Sequence, residues 1–322
     1  MRSKVVVTGV AGFIGSHQAE FLLEKGFHVV GIDNFHPYYS REIKENNLEE
    51  VRKTAGESPG EFRFIEGSIL RKNDLVKLPD EPEKVFHLAA LAGTRSSFEN
   101  PSEYFEVNVL GTSRLIQSFE SIGKLIFTSS SSVYGEVQEE ELPVEEDREL
   151  NPETPYSLSK AEAEDLVRMY SEIFDFDFAI TRPFTVYGPR QRPDEVFTKF
   201  IARAIEGKPV EIYGTGEQSR DFTFVGDVVR GNYKAAEKGR GVYNLGSQRR
   251  VTVEEVVDVL EEAMEGGIER VYEDRQKGDV SHTHADISKA AEHFSYSPSK
   301  SIRSGAEECA EWVESMKRRE LI

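Results

Sequence analysis

Tyr156-Ser-Leu-Ser-Lys160 sets a phenol and an ammonium at i and i+4, one above the other if the segment is helical. The ammonium stabilises phenolate, which draws the tyrosine down from its usual pKa of ~10 toward neutrality. A tyrosine tuned in that way serves as a general base or acid. Tyr296-Ser-Pro-Ser-Lys300 repeats the spacing, but Pro298 breaks the helix that the geometry needs. Position also separates the two. Ser129-Ser-Ser-Ser132 ends the apolar run Lys124 to Thr128, at an interval that lets serines and Tyr156 reach one cleft, whereas Tyr296 follows nothing comparable.

A second group handles phosphate. In Lys4-Val-Val-Val-Thr-Gly-Val-Ala-Gly-Phe-Ile-Gly-Ser16 a β-branched run leads into Gly9, Gly12 and Gly15. Glycines so placed permit a sharp turn, close approach of backbone to a pyrophosphate and tight packing of the following helix, whose N-terminal N–H groups face the phosphates. A second apolar strand, Phe27 to Ile32, ends in Asp33, about 20 residues beyond the turn, where an acid takes the adenosine ribose hydroxyls and disfavours a 2′-phosphate. NAD is therefore preferred to NADP. A bound nicotinamide cation would lower the Tyr156 pKa further.

The elements that must position these groups follow a βα rhythm. Strands are expected at 62–66, 84–88, 124–128 and 178–182, with helices at 41–54, 101–122 and 156–174. After Arg182 the rhythm breaks into strands at 210–213, 222–225 and 242–245 and helices at 227–237, 253–262 and 303–316. This predicts an α/β protein, a Rossmann-type doubly wound parallel sheet with a smaller C-terminal α/β substrate lobe. The first domain spans 1–181, the second 182–322, and the chain returns to the first around 226–246.

Composition narrows the partners. The 322 residues include 58 acidic and 40 basic side chains, a formal charge of −18, which argues against nucleic acid and requires local arginines for an anionic ligand. Cys309 is the sole cysteine, so neither an internal disulfide nor a cysteine-based metal site is available. His282, His284 and Asp286 have no third ligand cluster, and no metal is expected. Apolar runs are strand-length and Met1 to Lys4 leads straight into a strand, so no membrane association and a cytoplasmic location are expected.

Several motifs in order carry a family resemblance: Thr8-Gly-x2-Gly-x2-Gly15, Asp33-Asn34, His87-Leu-Ala-Ala90, Ser130, Tyr156-x3-Lys160, Arg182-Pro183-Phe184 and Ser219-Arg-Asp-Phe222. Over nearly its full length the chain resembles the extended short-chain dehydrogenase/reductases, in their nucleotide-sugar epimerase/dehydratase branch. The resemblance implies catalysis by Ser130, Tyr156 and Lys160. It implies an NAD site formed by Gly9, Gly12, Phe13, Ile14, Gly15, Asp33, Asn34, Ser68, Ile69, Leu88, Ala89, Ala90, Ser129, Tyr156, Lys160 and Phe184. Ser68 departs from the aspartate usual there. The two positions after Ser130, acidic in 4,6-dehydratases, are Ser131 and Ser132, which favours simple 4-epimerisation of a UDP-sugar.

Gly31-Ile-Asp-Asn-Phe-x2-Tyr-Tyr39, Ala92-Gly-Thr-Arg95, Thr185-Val-Tyr-Gly-Pro-Arg-x-Arg-Pro-Asp194 and Gln276-x-Gly-Asp279 resemble UDP-glucuronate 4-epimerases more than UDP-glucose 4-epimerases. Ser131, Thr185 and either Arg95 or Arg192 are suited to a uronate carboxylate. Arg220 matches a diphosphate arginine, Asp279 a uridine-ribose acid, and Tyr213 lies where uracil would be lined. The usual Pro-Asp-Met-Ala reads Pro193-Asp-Glu-Val196 here, setting Glu195 beside the uronate pocket, so glucuronate stands only slightly above glucose. UDP-glucose 4-epimerase is the alternative, with a dehydratase, a reductase or a non-catalytic NAD sensor behind it. Helices 101–122 and 156–174 resemble the pair through which such proteins form homodimers.

Overall fold

The computed structural model describes residues 4–276 and 278–322. Met1 to Ser3, expected to lead into the first strand, and Lys277, within the Gln276-x-Gly-Asp279 motif, lie outside the described residues. Seven parallel strands form the central sheet, in the spatial order Gly241–Leu245, Asp177–Pro183, Lys124–Thr128, Lys84–His87, Lys4–Thr8, His28–Asp33, Glu61–Glu66. Val5, Val6, Val7, Val29 and Val85 are completely buried, as befits strands covered by helices on both faces. Chain direction of build-up reverses between Lys4–Thr8 and Lys84–His87. That switch point opens a crevice at the strand ends where α/β sheets bind ligands.

The chain does return to the sheet: helix Val225–Lys238 packs beneath it and Gly241–Leu245 pairs with Asp177–Pro183 from Gly241↔Ala179 to Leu245↔Pro183. The expected strand 222–225 is instead two short pieces, Ser219–Asp221 and Thr223–Phe224, and Val225 already begins the helix. Each piece has a different partner, Arg250–Thr252 and Val186–Tyr187, so Phe222 marks a change of sheet. The remaining C-terminal part adds Val210–Tyr213 paired with Arg270–Glu273 and helices Val196–Ile205, Val253–Met264 and Ile302–Arg318. Its core unites Phe197, Ile201, Ile212, Val257, Leu260 and Val313.

The expected helix 101–122 is Pro101–Phe105, a π-helical turn Glu106–Leu110 and Gly111–Gln117. Hydrophobic spacing could not reveal the inserted turn, within which Asn108 is buried and bonded to Leu91 and Ser159. No helix among the described residues is long and apolar enough to cross a membrane.

Candidate active site

The glycine turn meets its geometric demands. Gly9 has φ +70°, and a Cβ on Gly15 would lie 2.0 Å from the Gly9 carbonyl oxygen. Gly12 then N-caps helix Phe13–Glu24 in an extended conformation with no side-chain cap, which presents first-turn N–H groups to the crevice. Asp33 accepts the N–H of Ala11 at 3.1 Å and of Phe35 at 2.8 Å. The two bonds fix the carboxylate beside the turn, and burial raises its pKa despite them. Ser68 Oγ accepts the N–H of Leu70 at 3.2 Å.

At the switch point hydrogen bonds assign a tautomer. Thr112 Oγ1 donates to the Asn108 carbonyl at 2.6 Å, so it accepts from His87 Nε2 at 2.8 Å. His87 Nδ1 is then the acceptor from Thr8 Oγ1 at 2.7 Å, and Thr8 accepts the N–H groups of Leu88 and Ala89. Burial pushes the imidazole down to about 3, so it is neutral as this chain requires.

Tyr156 and Lys160 share one face of helix Pro155–Phe174, whose start is fixed by Pro155 and by a capping box between Thr154 and Ser157. Lys160 Nζ donates to the Thr128 carbonyl at 2.7 Å and lies 4.2 Å from the Phe127 ring centroid. Burial pushes its ammonium down to about 7, against the opposing pull of Glu164. Ser130 Oγ accepts from the Ser132 N–H at 3.2 Å and the Ser132 hydroxyl at 2.9 Å, so its own hydrogen is left to donate. The expected fall in the Tyr156 pKa does not arise from the protein. Burial raises it, with Ser130 and Arg192 opposing, because Lys160 is itself desolvated and turned to Thr128.

One cleft of about 650 Å³ gathers these groups. Its lining includes Gly9, Gly12, Phe13, Ile14, Gly15, Asp33, Asn34, Ser68, Ile69, Leu88, Ala89, Ala90, Ser129, Ser130, Tyr156 and Lys160. It also includes Arg95, Ser131, Thr185, Arg192, Tyr213, Arg220 and Asp279. Phe184 is absent from that lining. It is 1% exposed, its ring packs on Tyr134, and it belongs to the core behind the wall. Phe184 follows the end of strand Asp177–Pro183, and its neighbours Pro183 and Thr185 line the cleft.

The Arg95 guanidinium pairs with Asp279 at 2.9 Å and lies 4.5 Å from the Tyr213 ring centroid, beside residues suited to a nucleotide. Arg220 pairs with neither Asp221 nor Asp227. It donates to the carbonyls of Ser219 and Ser281 at 3.0 and 3.1 Å, and burial lowers its pKa. Arg192 lies 2.7 Å from Glu195 and 3.1 Å from Asp194. Tyr296 is buried and donates to the Gly246 carbonyl at 3.1 Å, away from the cleft. His282 Nδ1 lies 2.8 Å from Ser219 Oγ, and no group of three or more metal-ligating side chains occurs among the described residues.

Three contributors escape the sequence motifs. Asn108 bonds both the N–H and C=O of Leu91, at 2.8 and 3.0 Å, and donates to Ser159 Oγ at 2.9 Å, which donates in turn to the Tyr156 carbonyl at 2.8 Å. Glu164, one turn beyond Lys160, is fully buried and paired with Arg182 through 2.6 and 2.9 Å bonds. Burial raises its pKa and Arg182 overrides this, leaving it lowered. Lys44 lines the cleft and donates to the His36 carbonyl at 2.5 Å. Its placement with Leu48 and Val51, at i, i+4 and i+7, was the available signal for an inward-facing lysine.

Residues 5–246 match the NAD dependent epimerase/dehydratase family. A UDP-glucuronate 4-epimerase of Thermodesulfobacterium geofontis is 36% identical over 95% of this chain and 95% of its own. The Bacillus cereus UDP-glucuronic acid 4-epimerase, solved with UDP-glucuronic acid and NAD, superposes with a TM-score of 0.90 at 35% identity, covering 97% of this chain and 99% of that one. The UDP-glucose 4-epimerase of Thermotoga maritima, solved with UDP-glucose, gives 0.87 at 32% identity, covering 98% and 99%.

Proposed function

The chain belongs to the NAD-dependent epimerase/dehydratase family, and from that premise we propose that it catalyses 4-epimerisation of a UDP-sugar through a transient 4-keto sugar, with UDP-glucuronate slightly preferred. The observation that carries the reading is the convergence of Ser130, Tyr156 and Lys160 on the cleft that also holds the glycine turn and Asp33. Those residues fit NAD: glycines that a Cβ would obstruct, an uncapped helix start and a positioned carboxylate. Gly9, Gly12 and Gly15 would hold its pyrophosphate and Asp33 its adenosine ribose, with Asn34, Ser68, Ile69, Leu88, Ala89, Ala90 and Ser129 around them. Bound NAD supplies hydride acceptance at C4 and hydride return.

The protein's own part is proton transfer and orientation. Tyr156 takes the proton of the sugar 4-hydroxyl and gives it back. Ser130 directs its free hydrogen to the reacting oxygen. Lys160 spends one N–H on Thr128 and has two more for the phenolate and the cofactor ribose. Because burial raises the Tyr156 pKa in the protein alone, the phenolate depends on the positive charge that arrives with NAD.

Arg220, Tyr213, Asp279 and Arg95 would hold the nucleotide, and Ser131, Thr185 and Arg192 the C6 end of the sugar. The Bacillus cereus complex with UDP-glucuronic acid and NAD supports glucuronate. UDP-glucose is the second reading, favoured by the two acids already paired with Arg192. Incubation with UDP-glucuronate, UDP-glucose and UDP-N-acetylglucosamine, with products separated by chromatography, tests both. Conversion of UDP-glucose alone overturns the uronate preference.

The same reading includes a homodimer through the helices within 101–117 and 155–174. Leu110, Leu158, Met169, Ile173 and Phe174 are 39–61% exposed there, an apolar face of the kind that association covers. A cytoplasmic site of action accords with a lone, buried, unpaired cysteine.

A further inference from the structure

We propose that Glu195 is a specificity-determining residue: it competes with a uronate carboxylate for Arg192 and so keeps the cleft open to UDP-sugars that are neutral at C6. This rests on the UDP-sugar reading above. Arg192 lines the cleft with Thr185, and its side chain is only 15% exposed. Its Nη2 lies 2.7 Å from Glu195 Oε1 and 3.3 Å from Asp194 Oδ2, and its Nε lies 3.1 Å from Asp194 Oδ1. Asp194 thus grips the Nε–Nη2 edge with two parallel bonds and Glu195 makes a further contact at Nη2, so a carboxylate approaching Nη2 must displace Glu195. One positive and two negative charges leave a net negative cluster when both acids are ionised, and a third carboxylate would enter against it.

The two acids are not equivalent. Asp194 is also held by the Tyr38 hydroxyl at 3.1 Å, and Tyr38 is in turn 3.0 Å from Ser96 Oγ. It belongs to a clasp joining the loops that carry residues 38, 96 and 194. Glu195 has Arg192 as its ion-pair partner and stands where the resembling sequences carry methionine, so it is the acid that this chain adds. Burial raises its pKa even with Arg192 beside it. The cluster is also within electrostatic reach of the reacting phenol, since Arg192 lowers and Glu195 raises the pKa of Tyr156.

The test uses the NAD-loaded enzyme and compares kcat/KM for UDP-glucuronate and UDP-glucose in wild type, Glu195→Gln, Glu195→Met, Arg192→Gln and the Arg192→Gln/Glu195→Gln double variant. Melting temperature and retention of NAD report folding in each. The glucuronate-to-glucose ratio should rise about tenfold or more in Glu195→Gln or Glu195→Met, the size of one charged contact released at Arg192. In the Arg192→Gln background Glu195→Gln should leave the ratio unchanged, an effect a purely structural role would not produce. An unchanged ratio in both folded single variants, or an equal rise in the Arg192→Gln background, overturns the proposal and leaves the epimerase reading intact. A wild-type enzyme that converts neither sugar overturns the reading itself.

Discussion

Lys160 is held under two opposed demands, since catalysis needs its ammonium and burial penalises it. Its pKa is about 7 in the folded chain against a usual value of 10.5. Between those values the unfolded state binds more protons, so stability rises with pH across that window and is lost as pH falls toward 7. Lys160→Met should therefore be more stable than wild type at pH 7, with an advantage that shrinks by pH 9.5, in urea unfolding of NAD-free protein. A pH-independent difference would show that the amine carries no such penalty. Tyr156→Phe should retain NAD and lose about 10²- to 10⁴-fold in turnover, read as kcat beside the absorbance of bound cofactor. Both residues were legible because i and i+4 on a helix is a local geometry. Glu164 and Asn108 were not, because their partners Arg182 and Leu91 lie 18 and 17 residues away and no motif spacing encodes such a contact.

The π-helical turn Glu106–Leu110 ties the cofactor-side loop to the catalytic helix, and its energetics rest on one amide. Replacing Asn108 leaves the buried N–H and C=O of Leu91 without their partner, at a cost of about 1–3 kcal/mol for each such group. Asn108→Leu should lower unfolding free energy by about 3 kcal/mol and also reduce kcat, because the link through Ser159 to the Tyr156 carbonyl is lost. Chemical denaturation and steady-state kinetics check the two parts separately. At this scale the sequence specified the strands of the sheet well, from their β-branched runs. It misplaced 101–122 and 222–225, where one polar side chain and one change of sheet partner override hydrophobic periodicity.

Across the whole molecule the cleft is assembled from residues far apart in sequence, as Arg95 and Asp279 are, 184 positions from one another. Family resemblance supplied both names, while only the folded chain shows them paired with each other. The burial of Phe184 behind the cleft wall escaped the sequence for the complementary reason, since a motif lists neighbours without saying which face each one takes. For the proposed dimer, Met169→Glu combined with Ile173→Glu should convert a sedimenting dimer into a monomer, because charges enter a face that is 52% and 61% exposed at those positions in the single chain. A wild-type monomer would contradict that assembly. In the proposed reaction a hydride leaves C4 and returns to it within one cleft. UDP-glucuronate deuterated at C4 tests this directly: the 4-epimer should form with deuterium retained at C4 and no net NADH. Loss of the label to water during epimerisation, or NADH accumulating in step with product, would contradict it.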